Sequence, residues 1–134
     1  MAIQFSAAVA NALLDQIETT IGASAILKIR SGAAPANCAA ADSGTVLATL
    51  NLPADWMAAA SGGSKAKSGT WEETSADAAG VAAHYRLYAS DGTTCHQQGS
   101  VTATGGGGDL TLDTTTIVLT QVVTITGWTW TAQI

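Results

Sequence analysis

The side chains best suited to chemistry in this chain are two histidines, His84 and His96, and two cysteines, Cys38 and Cys95. A histidine pair shuttles protons or binds a metal only when both rings reach one point, so their relative placement decides the matter. Asp91-Gly92 lies between two runs rich in β-forming residues, 81–89 and 93–104, and predicts a hairpin with a two-residue type I′ turn. In that register Leu87 opposes His96 and Gly99 opposes His84. Opposed residues share a sheet face and successive residues alternate, so the two rings point to opposite faces and hold no common ion. A change of one residue in turn length would bring them to the same face.

Cys38 and Cys95 stand in no CxxC spacing. In a chain made in the cytoplasm they are expected as free, mostly buried thiols, with a disulfide left open to a protein that later meets an oxidising medium. No zinc spacing, GxSxG, HExxH or phosphate loop is present. Gly105–Gly108 is followed by neither Lys-Ser nor Lys-Thr and reads as a hairpin tip. Glu72 and Glu73 are adjacent and would point apart in a strand, which does not suit paired-carboxylate catalysis. Asp109 and Asp113 could offer oxygens to calcium, but acids in such places mostly solvate turns. The expectation is a chain without catalytic, cofactor or metal site, and not an enzyme.

Aromatic residues are the remaining candidates. Trp128 and Trp130 are two apart and share one strand face, suited to a core, to a protein interface, or to stacking on sugar rings. Trp56 and Met57 form another apolar pair of undecided local structure, one helical turn or a buried edge.

The elements that must position these residues are mostly strands. Phe5, Val9, Leu13, Ile17 and Ile21 recur at i+4 and predict an amphipathic helix over about 6–21, with Ser6 as N-cap, Gly22 after the end, and Asn11, Asp15 and Glu18 facing outward. Strands are expected at 25–30, 45–52, near Trp71, and at 81–89, 93–104, 110–112, 117–126 and 128–131. Residues 61–69, with Lys65 and Lys67, read as a flexible solvent-facing loop. The sum is one domain over 1–134, mainly β: a β-sandwich of jelly-roll type from about residue 25, with one N-terminal helix.

Charged residues are only 11 % of the chain, against roughly a quarter in ordinary soluble domains, which suggests that other chains cover part of the outside. Net charge is −5, and the five cations Lys28, Arg30, Lys65, Lys67 and Arg86 are scattered among acids, so nucleic acid is a poor partner. The first twenty residues lack a secretory pattern, and no run approaches the roughly 20 apolar residues that span a bilayer, so no membrane role is expected.

The segments Ser31-Gly-Ala-Ala-Pro-Ala-Asn-Cys38, Leu52-Pro-Ala-Asp-Trp-Met57 and Thr94-Cys-His-Gln-Gln-Gly-Ser-Val101, behind an Ala-Leu-Leu-Asp-Gln-Ile-Glu helix, resemble small virion structural proteins of tailed bacteriophages. In size and β content the chain is most similar to head decoration, or cement, proteins of podovirus-like phages, though Trp128-Thr129-Trp130 departs from their plainer Thr-rich ending. The resemblance implies a protein made in the host cytoplasm that binds the outer capsid surface, with the major capsid protein as partner and self-association as a dimer or trimer. A tail, baseplate or fibre-associated β-domain is the alternative, and a surface sugar-binding module using the tryptophans is a third. The contact candidates are Phe5, Val9 and Leu13 on the helix, Trp56, Met57, Lys65 and Lys67 in the middle, and Trp128 and Trp130 near the end.

Overall fold

A computed structural model describes residues 3–134. Ser6 is extended, and its hydroxyl accepts the Val9 N–H at 3.3 Å, which satisfies one of the free donors at the start of helix α1, Ala7–Ile21. Gly22, at φ +92°, ends the helix and donates its N–H back to the Glu18 carbonyl.

Ten strands follow among the described residues: β1 Ile26–Ser31, β2 Val46–Asn51, β3 Ser64–Ala66, β4 Trp71–Glu73, β5 Gly80–Tyr88, β6 Cys95–Ala103, β7 Leu110–Leu112, β8 Thr116–Ile117, β9 Val123–Ile125 and β10 Thr129–Thr131. The protein is mainly β. Its central sheet runs β2-β1-β5-β6-β7, with β8 on the start of β5, and two small ribbons, β3-β10 and β4-β9, stand apart from it. Alternation along β1 and β5 puts Leu27, Ile29, Tyr85 and Leu87 on one face, directly paired across the strands. That face joins Trp71 of β4, Val123 and Ile125 of β9, and Trp56, Met57 and Trp128 in one apolar core. Lys28, Arg30, His84, Arg86 and Tyr88 occupy the other face.

The hairpin between β5 and β6 departs from the expected two-residue turn. Gly92 has φ +71° but Asp91 is not at positive φ, so a type I′ turn is not formed. Instead Ala89 accepts from Gly92 N–H and donates to the Thr94 carbonyl, closing a longer loop whose Asp91 carboxylate accepts the Thr93 and Thr94 amides at 2.9 Å. Tyr88 pairs with Cys95, but Leu87 pairs with Gln97, leaving His96 as the extra residue of a bulge.

Gly105–Gly108 is not a hairpin tip either, because β6 and β7 run parallel, with Val101 beside Leu110. Parallel neighbours ordinarily need a crossover of a dozen or so residues. Here the chain doubles back over Thr102. A Cβ on Gly106 or Gly108 would come within 2.8 Å of the Thr102 side chain, so the close approach explains the glycines. The expected strand at 117–126 is also divided, into β8 and β9, by a turn at 118–121.

Residues 61–69 contain β3 and are not a free loop. Lys65 is only 2 % exposed and donates to Asp15 Oδ1 at 2.7 Å and Ala58 O at 2.8 Å, with Glu18 Oε2 at 2.7 Å. Its partners on α1 are nearly fifty residues earlier in the chain, which is why local composition reads as solvent-facing.

Candidate functional site

The helix is docked with much of its polar side inward. Asn11 Oδ1 accepts the Gly63 amide and Asp15 Oδ1 the Ala60 amide, both at 2.9 Å, while Asp15 and Glu18 clasp the Lys65 ammonium. These residues were expected to face water. Burial alone would lower the Lys65 pKa; the hydrogen bonds to Asp15 and Glu18 outweigh it, and the ammonium is held above its usual value. The hydrogen bond from Lys65 and the one from the Ala60 amide hold Asp15 below the usual carboxylate range.

The apolar stripe turns outward as a result. Each i+4 step advances about 40° around an α-helix, so the run from Val9 to Ile21 winds through roughly 120°. Ile21 reaches the core and Ile17 packs against it, with Ala10 and Leu14 buried beneath the helix. Phe5, Val9 and Leu13 are left 39 %, 45 % and 49 % exposed. Leu13, Ile17 and Ile21 then form one wall of a shallow groove of about 290 Å³, completed by Gln16, Thr20 and the exposed His96.

A second apolar patch, missed in the sequence, lies at the 118–122 turn. Val118, Leu119 and Val122 are each more than half exposed, as is Val81 on the strand paired with β8. The turn is rigidly braced: Gln121 caps the Val118 amide, and Ala76 exchanges backbone hydrogen bonds with Thr120 and Gln121. Thr120 sits at φ +68°, a strained conformation for a β-branched residue. No glycine, proline or asparagine marks this turn, so the sequence offered no local signal for it.

The expected aromatic candidates are placed otherwise. Trp56 and Met57 are fully buried and Trp128 is 8 % exposed, because their rings and chain fill the core. Trp56 meets Trp71 at 6.0 Å and Trp130 at 5.8 Å; Trp128 meets Tyr85 at 5.2 Å and Trp130 at 5.3 Å, edge to face. Trp130 is half-buried. Trp130 and the edge of Trp128 border an open depression of about 370 Å³ with Gln97, Gln98 and Asp109, whereas Trp56 and Trp71 are enclosed. Lys65 is likewise enclosed, whereas Lys67 is half-buried, donates to Gly69 O at 2.7 Å and lies 5.7 Å from the Trp71 ring centre. Of the nine contact candidates, Phe5, Val9 and Leu13 present apolar surface. Trp56, Met57, Lys65 and Trp128 have almost none to offer.

On the opposite face of the sheet, residues 32–44 cross as a strap over an arginine cluster. Arg86, 2 % exposed, donates to the Asn37, Cys38 and Ala40 carbonyls at 3.0–3.1 Å, to Gln98 Oε1 at 3.2 Å, and pairs with Asp42. Asp42 also accepts from Arg30 at 3.0 Å and from the Tyr88 hydroxyl at 2.7 Å. Desolvation would raise the Asp42 pKa, but Tyr88, Arg86 and Arg30 together bring it below the usual range. Burial, helped by the bond to Asp42, pushes Tyr88 up to about 12. Every partner here is internal, so the cluster fastens the strap. His84 lies on this face, 1 % exposed, with Nδ1 donating to Gly32 O at 2.7 Å. His96 faces the helix groove, so the two rings are separated as expected, though through a bulge instead of the predicted turn.

Among the described residues no group of His, Cys, Asp or Glu could hold a metal ion, and no helix is long and apolar enough to cross a membrane. Comparison of the chain with protein-family models, curated proteins and solved structures returns no match.

Proposed function

We propose that this protein is a structural component of a tailed-phage particle, a head decoration protein that binds the outer capsid surface and stabilises contacts between subunits of the major capsid protein. The observation that carries the reading is the outward apolar face of α1. Asn11, Asp15 and Glu18 are tied by hydrogen bonds and ion pairs to residues 60–65, while Val9 and Leu13 on the helix and Phe5 just before it leave apolar area exposed, an arrangement that gains free energy when another chain covers it.

The braced 118–122 turn supports the same reading by offering a second apolar patch, and two patches suit a protein that bridges neighbours. Contacts that exist only in an assembled lattice stabilise that lattice by mass action, and repetition adds avidity. Three of the five cations, Arg30, Lys65 and Arg86, are buried and internally paired, which leaves little positive surface for DNA. On this reading the β3-β10 and β4-β9 ribbons, across the core from the central sheet, serve as the second leaf of a jelly-roll-like sandwich. Self-association as a dimer or trimer would use the same apolar surfaces.

The test is particle stability. Particles lacking the protein should release DNA at lower temperature, complementation with the wild-type chain should restore them, and a Val9→Asp/Leu13→Asp chain that stays folded should not. Equal stability with and without the protein would overturn the cement role, and gold labelling confined to the tail would move it to the alternative position there.

A further inference from the structure

The strap and β6 each carry one of the two cysteines, and the fold brings them together. Cys95 is paired with Tyr88 and so shares the face that the strap covers. Cys38 lies in the strap, where Asn37 Oδ1 accepts the Ala39 and Ala40 amides and where the Cys38 carbonyl accepts from Arg86 at 3.1 Å. Gln98, also on β6, donates to Pro35 O at 2.7 Å, so the strap is seated on β6 three residues from each thiol, while Asp42 beyond Cys38 is held by Arg86 and Tyr88 of β5. Both thiols are free and only partly buried, the Cys95 thiol donates to Gln97 O at 3.5 Å, and Cys38 is near enough to help hold the Cys95 proton in place.

We propose that Cys38 and Cys95 form a redox latch: free thiols while the chain folds in a reducing medium, and a disulfide that pins the strap over the arginine cluster once the protein meets an oxidising one. The oxidant is a small-molecule disulfide such as oxidised glutathione. One cysteine thiolate attacks it, forming a mixed disulfide and releasing one glutathione. The second cysteine, deprotonated, then attacks the protein-side sulfur and releases the other. Two protein thiols thus lose two protons and two electrons, and one small disulfide becomes two thiols. Burial pushes the Cys95 thiol up to about 11, so little of it is thiolate at neutral pH and closure is slow. The strap's hydrogen bonds hold the partners in place over that time.

The test is to treat the full, folded chain with excess oxidised glutathione, quench with acid and alkylating agent, and map peptides without reduction. The expected product is a Cys38–Cys95 linked peptide. Closing a loop of this length should raise the thermal midpoint by roughly 7–14 °C, reversibly with dithiothreitol. Cys38→Ser should carry at most a glutathione adduct on Cys95 and show no such rise. Two glutathione adducts on the wild-type chain, or two thiols still free after prolonged treatment, would overturn the latch. So would a linked chain that melts no higher than the reduced one. The peptide map decides even where a serine variant fails to fold.

Discussion

Leu13 and Leu14 are neighbours of the same type on one helix, and the orientation of α1 assigns them opposite fates. Leu14 is 4 % exposed under the helix, and Leu13 is 49 % exposed above it. Truncating Leu14 to alanine removes a nearly complete burial and leaves a cavity, at a cost of about 3 kcal/mol. Truncating Leu13 forfeits about half of a leucine's transfer free energy with no enclosed cavity, so the cost is about 1 kcal/mol, reduced slightly by alanine's better helix propensity. For a chain of this size 1 kcal/mol corresponds to about 3–4 °C, so the thermal midpoints should fall by roughly 10 °C and 3 °C respectively. Urea unfolding followed by tryptophan fluorescence measures both free-energy costs, with unchanged m-values expected for each variant, and a thermal melt checks the midpoints. If Leu13→Ala were as damaging as Leu14→Ala, the helix would have to be rotated and the outward apolar face would not exist. The proposed function would lose its carrying observation with it.

Gly108→Ala places a Cβ 2.8–2.9 Å from Thr102 atoms, its backbone nitrogen included, and should cost about 1–3 kcal/mol; a variant of unchanged urea midpoint would mean that the parallel return of β7 is looser than described. On the acid side, Asp42 and Asp15 are held below their ordinary 3.8, so the stability they contribute is complete above about pH 5 and drains as the pH falls through 3.8 and below. On the alkaline side, Lys65 is held above 10.5 and Tyr88 is raised from 10.0 to about 12, so the folded chain keeps protons that the unfolded chain releases, and stability drains from about pH 10 upward. Urea midpoints measured across both ranges check the signs, and a flat profile at either end would contradict the corresponding ion cluster.

Local pattern was enough for what depends on neighbours in the chain. Ser6 and Gly22 bounded the helix, alternation of Leu27 and Ile29 against Lys28 and Arg30 marked β1, and the runs around Asp91-Gly92 marked β5 and β6. Mainly-β architecture followed from these. What the sequence could not reveal was which partners distant in the chain would satisfy buried charge. Lys65 reads as solvated until Asp15 and Glu18 are brought to it, and Arg30 and Arg86 read as an outer face until the strap supplies Asp42 and three carbonyls. A buried cation is tolerable only when paired, and the pairing is a property of the tertiary structure. The same holds for the helix: its i+4 stripe was plain in the sequence, but which arc of that winding stripe meets the core was decided by where Gly63, Ala60 and Lys65 wait for Asn11, Asp15 and Glu18. Hydrophobicity alone would have buried the whole stripe; the need to satisfy the buried Lys65 and the Ala60 and Gly63 amides turned Val9 and Leu13 to the outside.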